Sequence, residues 1–506
     1  MNFPRSSGVL LHPTSLPGRH GIGDFGPEAY RFIDFLHSAG QKLWQVLPLN
    51  PTGYADSPFQ CLSASAGNPM LIGLDQLVAQ GILSENDLRS VPAFPVETVD
   101  YGAVIRFKMP LLYKAAMCFL ADASSETRRD FEQFAHAQAS WLDDFALFSA
   151  VKQQHNLVAW TKWPADIATR QPGSVASKKH QLASAIDAQR FFQYVFFQQW
   201  QKLRAYGRER NIHIIGDMPI YVAHDSSDVW ANPQFFLLDQ RGNPLKIAGV
   251  PPDYFSATGQ CWGNPIYNWP LLKQSGYQWW IERLRSTLRL YDFVRIDHFR
   301  GFEAYWEVPG TETTAVNGRW VKGPGAELFS VLREELGDLP IIAENLGVIT
   351  PEVEALRHQF ALPGMAILQF AFGKDPQAPT FKPHNYVRGL VAYTGTHDND
   401  TVVGWWKSSG GDSTRTAEDV VKEHAHARSY LRFKDDPVHW VLIRGIMSSV
   451  ANTAIAPMQD VLGLGSEARM NLPGVPSGYW KWRMKPDAAS EEIAATLKEL
   501  ASLYDR

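Results

Sequence analysis

The amino-acid sequence predicts an α/β protein built on a closed (β/α)8 barrel, the TIM barrel. Eight short apolar runs recur along the 506 residues, and each run ends in polar residues or glycine. Segments with apolar residues at helical spacing lie between the runs, and strands that alternate with helices form parallel sheets. A doubly wound open sheet is the competing fold, and the lack of a GxGxxG motif after an early run weakens it.

The eight runs are the expected barrel strands. They are GVLLH (8–12), KLWQVLP (42–48), IHIIGDMP (212–219), YDFVRID (291–297), LPIIAEN (339–345), MAILQF (365–370), VAYTGTHD (391–398) and NTAIAPMQD (452–460). A further run, AYWEV at 304–308, follows the fourth strand too closely, because a parallel crossover needs about a dozen residues or more. We therefore assign 304–308 to a loop or a hairpin.

Two prolines mark helix starts between the runs. Pro27 begins one helix and Pro351 begins another, because the fixed φ of proline suits the first helical position. Thr350 precedes the second of them and is the expected N-cap.

Unequal gaps between the strands predict insertions on a single barrel that spans residues 1–506. Apolar residues at helical spacing continue through Trp200, so we interpret 60–200, between the second and third strands, as a helical insertion subdomain. Residues 219–290, between the third and fourth strands, form a second expected insertion. Its stretch 249–269 is rich in glycine, proline and aromatic residues and is predicted to be an ordered substrate loop.

Composition excludes several classes of partner and location. Lysine plus arginine number 48 and aspartate plus glutamate 52, for a net charge of −4, so neither nucleic acid nor an anionic membrane is an expected partner. Cys61, Cys118 and Cys261 are widely spaced, which argues against a disulfide framework or a zinc knuckle. The sequence shows no signal-peptide core and no stretch of about 18 apolar residues, so we expect a cytoplasmic protein.

The stretch FVRIDHFRG at 293–301 begins as a buried strand and ends in charge. Alternate side chains of a strand point to opposite faces, so Arg295 and Asp297 share one face. Burying both charges is costly unless they pair, and the pattern fits the end of a strand that opens into a cleft. The guanidinium would then stabilise the charged form of Asp297 and orient its carboxylate.

Acidic residues stand at the carboxyl ends of several predicted strands, where barrel enzymes carry their chemistry. These residues are Asp217, Asp297, Glu344, Asp398 and Asp460. Two carboxylates about 5–5.5 Å apart suit retaining glycoside chemistry, in which an ionised one attacks and a protonated one donates. Glu344 has no adjacent cation in the sequence, so we expect burial to raise its pKa.

Other interpretations of these residues remain open at this point. A single acid at a strand end is often a helix N-cap or a loop anchor. His397 and Asp398 could be metal ligands of a barrel hydrolase, although such sites use several strand-end histidines and the first strand offers only His12. Tyr54 and Trp262 could be packing aromatics, and the lack of a GxSxG elbow argues against a serine nucleophile.

The ordered motifs of the chain resemble those of the 4-α-glucanotransferases of the amylomaltase or disproportionating-enzyme type, glycoside hydrolase family 77. The resemblance covers nearly the whole chain and rests on the following stretches: LHPTSLPG (11–18), GYADSPFQ (53–60), SAGNPMLI (65–72), GDMPIYVAHDSSDVW (216–230), GVPPDYFSATGQCWGNPIYNW (249–269), VRIDHFRG (294–301), AENLG (343–347), TGTHDNDT (394–401) and RMNLPG (469–474).

The resemblance implies a (β/α)8 barrel with helical insertions and no separate C-terminal β-domain. It implies Asp297 as nucleophile, Glu344 as general acid/base and Asp398 as the residue that stabilises the transition state. It also implies these substrate-binding residues: Tyr54, Ser57, Asp217, Trp262, Arg295, His298 and His397. The expected partners are malto-oligosaccharides and α-1,4-glucans, with no metal and no cofactor.

Three positions depart from the usual family pattern. Phe59 replaces a tyrosine, Cys261 stands where leucine is common, and Tyr479 stands where asparagine is typical. None of them removes a catalytic carboxylate. Three rival functions are an α-glucan hydrolase that uses the same acids, a catalytically dead glucan-binding scaffold, and a metal-dependent barrel hydrolase.

Overall fold

Eight parallel strands form a nearly closed barrel in the computed structural model. The structure describes residues 4–506 except 253–255, 257, 411–415 and 476, and it leaves the side chain of Tyr54 undescribed. Twelve strands lie in these described residues: β1 (Ser6–Leu10), β2 (Leu43–Gln45), β3 (His213–Pro219), β4 (Lys246–Val250), β5 (Gln260–Pro265), β6 (Phe293–Asp297), β7 (Ala304–Pro309), β8 (Arg319–Lys322), β9 (Ile341–Ala343), β10 (Gly364–Ile367), β11 (Leu390–Tyr393) and β12 (Thr453–Pro457).

The barrel strands follow the order β10-β11-β12-β1-β2-β3-β6-β9, and each predicted apolar run supplies one of them. The peptide N–H of Ala343 donates to the carbonyl of Pro363 at 2.8 Å, which brings β9 alongside β10. The predicted barrel is therefore confirmed. Parallel strands covered by helices are buried on both faces, which is why they are recognisable as nearly continuous apolar runs.

Helices cover the outside of the barrel and build the insertions. In the described residues they are α1 (Pro27–Ser38), α2 (Leu74–Ala79), α3 (Tyr101–Asp122), α4 (Ser125–Ala137), α5 (Ala139–Gln154), α6 (Ala165–Ala168), α7 (Pro172–Gln181), α8 (Ala183–Glu209), α9 (Ser227–Ala231), α10 (Trp269–Gln274), α11 (Gln278–Leu290), α12 (Gly325–Leu336), α13 (Pro351–Gln359), α14 (Val402–Lys407), α15 (Ala417–Leu431), α16 (Val438–Met447), α17 (Met458–Val461) and α18 (Glu491–Leu503). Helices α1 and α13 begin at the predicted prolines. Thr350 occupies the N-cap of α13, yet its hydroxyl makes no capping hydrogen bond.

Helix α8 joins the helices between β2 and β3 to the barrel. Phe192, Phe196 and Trp200 are fully buried on one of its faces, and the Trp200 indole donates to the Leu290 carbonyl at 2.9 Å. Helices α3, α4 and α5 pack against α8. We propose that 60–200 is a helical subdomain and 219–290 a substrate-loop insertion, both carried by one barrel over 1–506.

A small antiparallel sheet lies outside the barrel, with the strand order β5-β4-β7-β8. Strands β7 and β8 pair as a hairpin, which confirms the assignment of 304–308. Strands β4 and β5 are not predicted from the sequence, which indicates only an ordered loop over 249–269. In the described residues, no helix has both the length and the apolar character that crossing a bilayer requires.

A buried lysine connects the helical insertion to the first loops of the barrel. Lys108 in α3 has no exposed surface, and its Nζ donates to Asp24 Oδ2 at 3.0 Å and to the carbonyls of Met70 and Ile72 at 2.7 and 2.8 Å. Burial alone would raise the pKa of Asp24, but Lys108 and His20 outweigh it and the pKa is lowered. The ammonium therefore stabilises an ionised carboxylate inside the protein.

Replacing this lysine should destabilise the fold. Lys108→Met leaves Asp24 buried without its cation, which costs about 3–5 kcal/mol. For a chain of this length that cost lowers Tm by about 3–5 °C, because the unfolding entropy is about 2 cal/mol/K per residue. The comparison is a thermal scan beside Arg106→Met, which changes an exposed cation of the same helix. A second substitution, Asp24→Asn, should restore part of the loss, and equal Tm values for Lys108→Met and Arg106→Met would contradict the ion-pair role.

Candidate active site

One guanidinium connects two carboxylates at the mouth of the barrel. Arg295 Nη1 donates to Asp217 Oδ1 and Oδ2 at 2.8 and 2.6 Å, and its Nη2 donates to Asp297 Oδ1 at 2.7 Å. The strand register places Asp217 directly opposite Arg295. Arg295 and Asp217 are buried, whereas the side chain of Asp297 is 33% exposed. The arrangement fixes the Asp297 carboxylate and leaves it open to the cleft.

The pair Asp217–Arg295 lies beneath Asp297 as a buried support. Burial raises the pKa of Asp217, Arg295 opposes the rise, and the negative charge of Asp297 adds to it. The neighbouring carboxylates in turn raise the pKa of Arg295, although burial lowers it. The Arg295 guanidinium therefore stays charged, and its two carboxylate partners compensate the cost of burying that charge.

Glu344 directly follows β9, and its carboxylate reaches the residue next to Asp297. Glu344 Oε2 accepts from the peptide N–H of His298 at 2.8 Å, and Oε1 accepts from that of Leu346 at 2.6 Å. His298 has a φ of 56°, a left-handed conformation that costs a non-glycine residue energy and persists only when its surroundings hold it. The hydrogen bond from the His298 peptide N–H to Glu344 is one such restraint. It brings the carboxylates of Glu344 and Asp297 to the same mouth of the barrel.

Glu344 and Asp297 differ in environment. Burial and, to a smaller extent, the charge of Asp297 raise the pKa of Glu344 to about 7, although Arg295 and the two peptide N–H donors oppose the rise. The expected effect of burial on Glu344 is thus confirmed. A carboxyl group of this kind keeps its proton up to about neutral pH. Asp297 instead accepts a hydrogen bond from the Arg295 guanidinium.

Asp398 approaches the same mouth from the loop after β11. Its Oδ1 accepts from Asn471 Nδ2 at 2.6 Å, and His397 Nε2 lies 3.4 Å from the same oxygen. The imidazole of His397 stacks on Phe59 with a centroid distance of 4.8 Å and an interplanar angle of 18°. Burial lowers the pKa of His397, although Asp398 opposes this, so the ring is neutral at pH 7. Phe59 thus stacks on His397 through its ring face, and the tyrosine that is usual at this position has the same ring face.

Trp262 and the 53–60 loop form another wall. The edge of Trp262 meets the His298 ring at a centroid distance of 4.8 Å and an angle of 89°, and burial lowers the pKa of His298 to about 4. Gln60 Nε2 donates to the Trp262 carbonyl at 3.4 Å and to Asn264 Oδ1 at 3.2 Å. Ser57 Oγ accepts from the peptide N–H of residue 59 at 3.3 Å. The side chain of Tyr54, also predicted here, is outside the described residues.

The remaining departures from the family pattern are Cys261 and Tyr479. Cys261 is opposite Gly249 in the small sheet, and it points to the other face from its neighbour Trp262. Tyr479 is partly buried and packs against the main core. Asp460, a strand-end acid, is a loop anchor, because it accepts from the Thr394 hydroxyl at 2.6 Å and from the 402 peptide N–H at 2.7 Å.

Asn471 and Gln60 are not among the site residues predicted from the sequence, although both lie in the family motifs, at 469–474 and 53–60. The only feature of the sequence that could have indicated them is that each is a polar residue within a family motif. Among the described residues, no cluster of three or more histidine, cysteine, aspartate or glutamate side chains is arranged to hold a metal ion.

Comparison with known proteins assigns the family. The 4-alpha-glucanotransferase model of glycoside hydrolase family 77 matches residues 11–489. The chain belongs to this family. It is 50% identical to the 4-alpha-glucanotransferase of Synechocystis sp. over 99% of this chain and 98% of that one. It is 49% identical to the 4-alpha-glucanotransferase of Thermus thermophilus over the full length of both.

Solved structures agree with this family assignment. The amylomaltase of Streptococcus agalactiae in complex with acarbose superposes with a TM-score of 0.94, at 42% identity and with 99% of both chains covered. The amylomaltase of Corynebacterium glutamicum shares the fold, with a TM-score of 0.79 at 18% identity over 98% of this chain and 73% of that one. The chain is accordingly a transferase of the 4-alpha-glucanotransferase type, with the barrel fold of the amylomaltases.

Exchanging Arg295 for lysine should impair this glucanotransferase although it keeps the charge. A lysine is a point charge without the rigid fork that serves Asp217 and Asp297 together. We expect Arg295→Lys to lower kcat/KM for maltotriose by about 100-fold, the loss typical of a removed electrostatic contact in an active site. Arg319→Lys is the matched control, because that side chain is 73% exposed. If Arg295→Lys keeps its Tm and the kcat/KM of the wild type, the shared guanidinium does not matter for the reaction.

Proposed function

We propose that the chain is a retaining 4-α-glucanotransferase that moves α-1,4-glucan segments between malto-oligosaccharides, or between the chains of starch or glycogen. The observation that supports this proposal is the contrast between two neighbouring carboxyl groups. Asp297 is held by Arg295 at 2.7 Å, while burial raises the pKa of Glu344 to about 7. One ionised and one protonated carboxyl group are what a double displacement requires.

In the first step Asp297 acts as the nucleophile. A carboxylate oxygen forms a bond to the anomeric carbon of the donor glucan, and the bond from that carbon to the bridging oxygen breaks. Glu344 gives its proton to the bridging oxygen, so the departing glucan leaves with a 4-hydroxyl. The product is a covalent glycosyl-aspartate and an ionised Glu344.

In the second step an acceptor glucan takes the glycosyl group. Ionised Glu344 removes the proton from the acceptor 4-hydroxyl, whose oxygen then bonds to the anomeric carbon and displaces Asp297. Two inversions give net retention at that carbon. Asp398 holds hydroxyl groups of the reacting sugar and stabilises the positive charge that develops in each transition state.

Transfer exceeds hydrolysis when the site holds a sugar acceptor more effectively than water. We assign this task to Trp262, His298 and the 53–60 loop, which form an aromatic wall beside Glu344. An apolar ring face binds a pyranose ring and excludes water at the same time. Tyr54, Ser57 and His397 complete the proposed substrate contacts.

A cytoplasmic location remains a prediction from the sequence.

Incubation with maltotriose tests the transferase activity. We expect glucose together with a ladder of longer malto-oligosaccharides, because each covalent intermediate is captured by another sugar. Asp297→Asn should abolish the ladder, since an amide cannot form the glycosyl ester. The products are resolved by anion-exchange chromatography over a time course.

Two results would contradict this function. Glucose and maltose without chain lengthening would show a hydrolase that uses the same acids. A ladder formed by Asp297→Asn at the wild-type rate would show that another group is the nucleophile. A 5-fluoro-α-glucosyl fluoride should also label the wild-type protein, and the adduct should map to the peptide that contains Asp297.

A donor that leaves without a proton separates the two carboxyl roles. Glu344→Gln should lower kcat/KM for maltotriose by about 100- to 10,000-fold, the usual contribution of a general acid. With α-maltosyl fluoride its first step should recover, because fluoride departs without protonation, and fluoride release measures that step. Asp297→Asn should fail with both donors, and the reverse pattern would exchange the roles.

For the wild type, the alkaline limb of kcat/KM should fall near the Glu344 pKa of about 7, because only protonated Glu344 donates.

A further inference from the structure

A segment that follows β12 contacts the loop that carries Asp398. The peptide N–H of Asn471 donates to the His397 carbonyl at 3.0 Å, and Arg469 Nη2 donates to the Asp398 carbonyl at 2.8 Å. Arg469 Nε also donates to the Asn471 carbonyl at 2.7 Å, which ties the segment to itself. These bonds attach 469–471 to 397–398 through one backbone bond and the Arg469 side chain, without the Asn471 side chain.

The Asn471 side chain adds one bond, to the carboxylate itself. Its Nδ2 donates to Asp398 Oδ1 at 2.6 Å. Within the described residues, Asp398 Oδ2 accepts no hydrogen bond, and the side chain is 43% exposed. One oxygen is thus engaged by the protein, and the other is free to face a sugar. Rotation of the carboxylate about its own bond would break the Asn471 contact.

The donor is neutral, and this distinguishes Asp398 from Asp297. Asp297 is bound by a guanidinium, which compensates its negative charge. In the part of the chain that the structure describes, the Asp398 carboxylate is bonded by an amide and lies 3.4 Å from the His397 ring, which burial keeps neutral. An amide donor fixes the direction of a carboxylate without cancelling its charge. A positive transition state is stabilised best by a negative charge that is both oriented and uncompensated.

We propose that Asn471 is a positioning residue that aims the Asp398 carboxylate at the reacting sugar through its side-chain amide. This inference depends on the proposed function, because it gives Asn471 a role only through the proposed role of Asp398. The backbone bond of residue 471 and the bonds of Arg469 are independent of the Asn471 side chain, so substitution of Asn471 leaves the loop attachment in place.

A double-mutant cycle tests the dependence on Asp398. Asn471→Ala should lower kcat by about 10- to 100-fold with a nearly unchanged KM, since a small misplacement of a group at the reaction centre has this effect. In the Asp398→Asn background, the same change should cause no further loss, because the carboxylate that it positions is already gone. Rates are measured by fluoride release from α-maltosyl fluoride, which remains sensitive in weak variants.

The pH profile separates positioning from a structural role. Asn471→Asp places a second carboxylate against Asp398, and two carboxylates in contact cannot both ionise freely. We therefore expect the acidic limb of kcat/KM to move to higher pH in Asn471→Asp and to stay in place in Asn471→Ala. The control is Asn385→Ala, which removes an amide that donates to the Pro379 carbonyl in an exposed loop and should retain the wild-type kcat.

Two outcomes would overturn the inference. One is a wild-type kcat in Asn471→Ala, and the other is an equal loss from this change with and without Asp398. A wild-type kcat in Asp398→Asn would instead contradict the proposed function of Asp398. The single variants therefore distinguish failure of the inference from failure of the mechanism beneath it.

Discussion

The shared guanidinium of Arg295 is the constraint on which the site depends. It donates to both oxygens of buried Asp217 and to one oxygen of half-open Asp297. A buried arginine needs anionic partners, and a carboxylate at an open mouth needs a fixed direction. One residue meets both requirements, because the strand register aligns it with Asp217 and the period of two aligns it with Asp297. Barrel geometry thus determines the orientation of the proposed nucleophile.

Most strands of the barrel and part of the active site could be predicted from the sequence. Parallel strands are buried on both sides, so they stand out as apolar runs, and Arg295 with Asp297 follows from alternation within one run. The strands β4 and β5 did not stand out, because one is short and contains glycine and the other, QCWGNP, mixes glycine, proline and polar residues. Strand β5 pairs with β4, and β4 pairs with β7. These pairings are tertiary contacts that local pattern does not encode.

The contacts of Asp398 show the same limit within the active site. Its position at a strand end was recognisable from the sequence, but its partner Asn471 is 73 residues further along the chain. That contact exists because β11 and β12 are neighbours and their following loops meet above the barrel. Neither the residue types nor their spacing in the sequence predicts the contact between Asn471 and Asp398. Positions at strand ends can therefore be predicted one at a time, whereas the bonds between loops require the closed barrel.

Three carboxyl groups at one mouth would repel one another if they were treated alike. The protein instead gives each a different donor: a guanidinium for Asp297, two peptide N–H groups for Glu344 and a side-chain amide for Asp398. The cation orients Asp297, and burial favours the proton on Glu344 despite its two N–H donors. The amide orients Asp398 without neutralising it. The proposed roles of the three acids therefore follow from the chemistry of their donors, since the acids themselves are nearly the same.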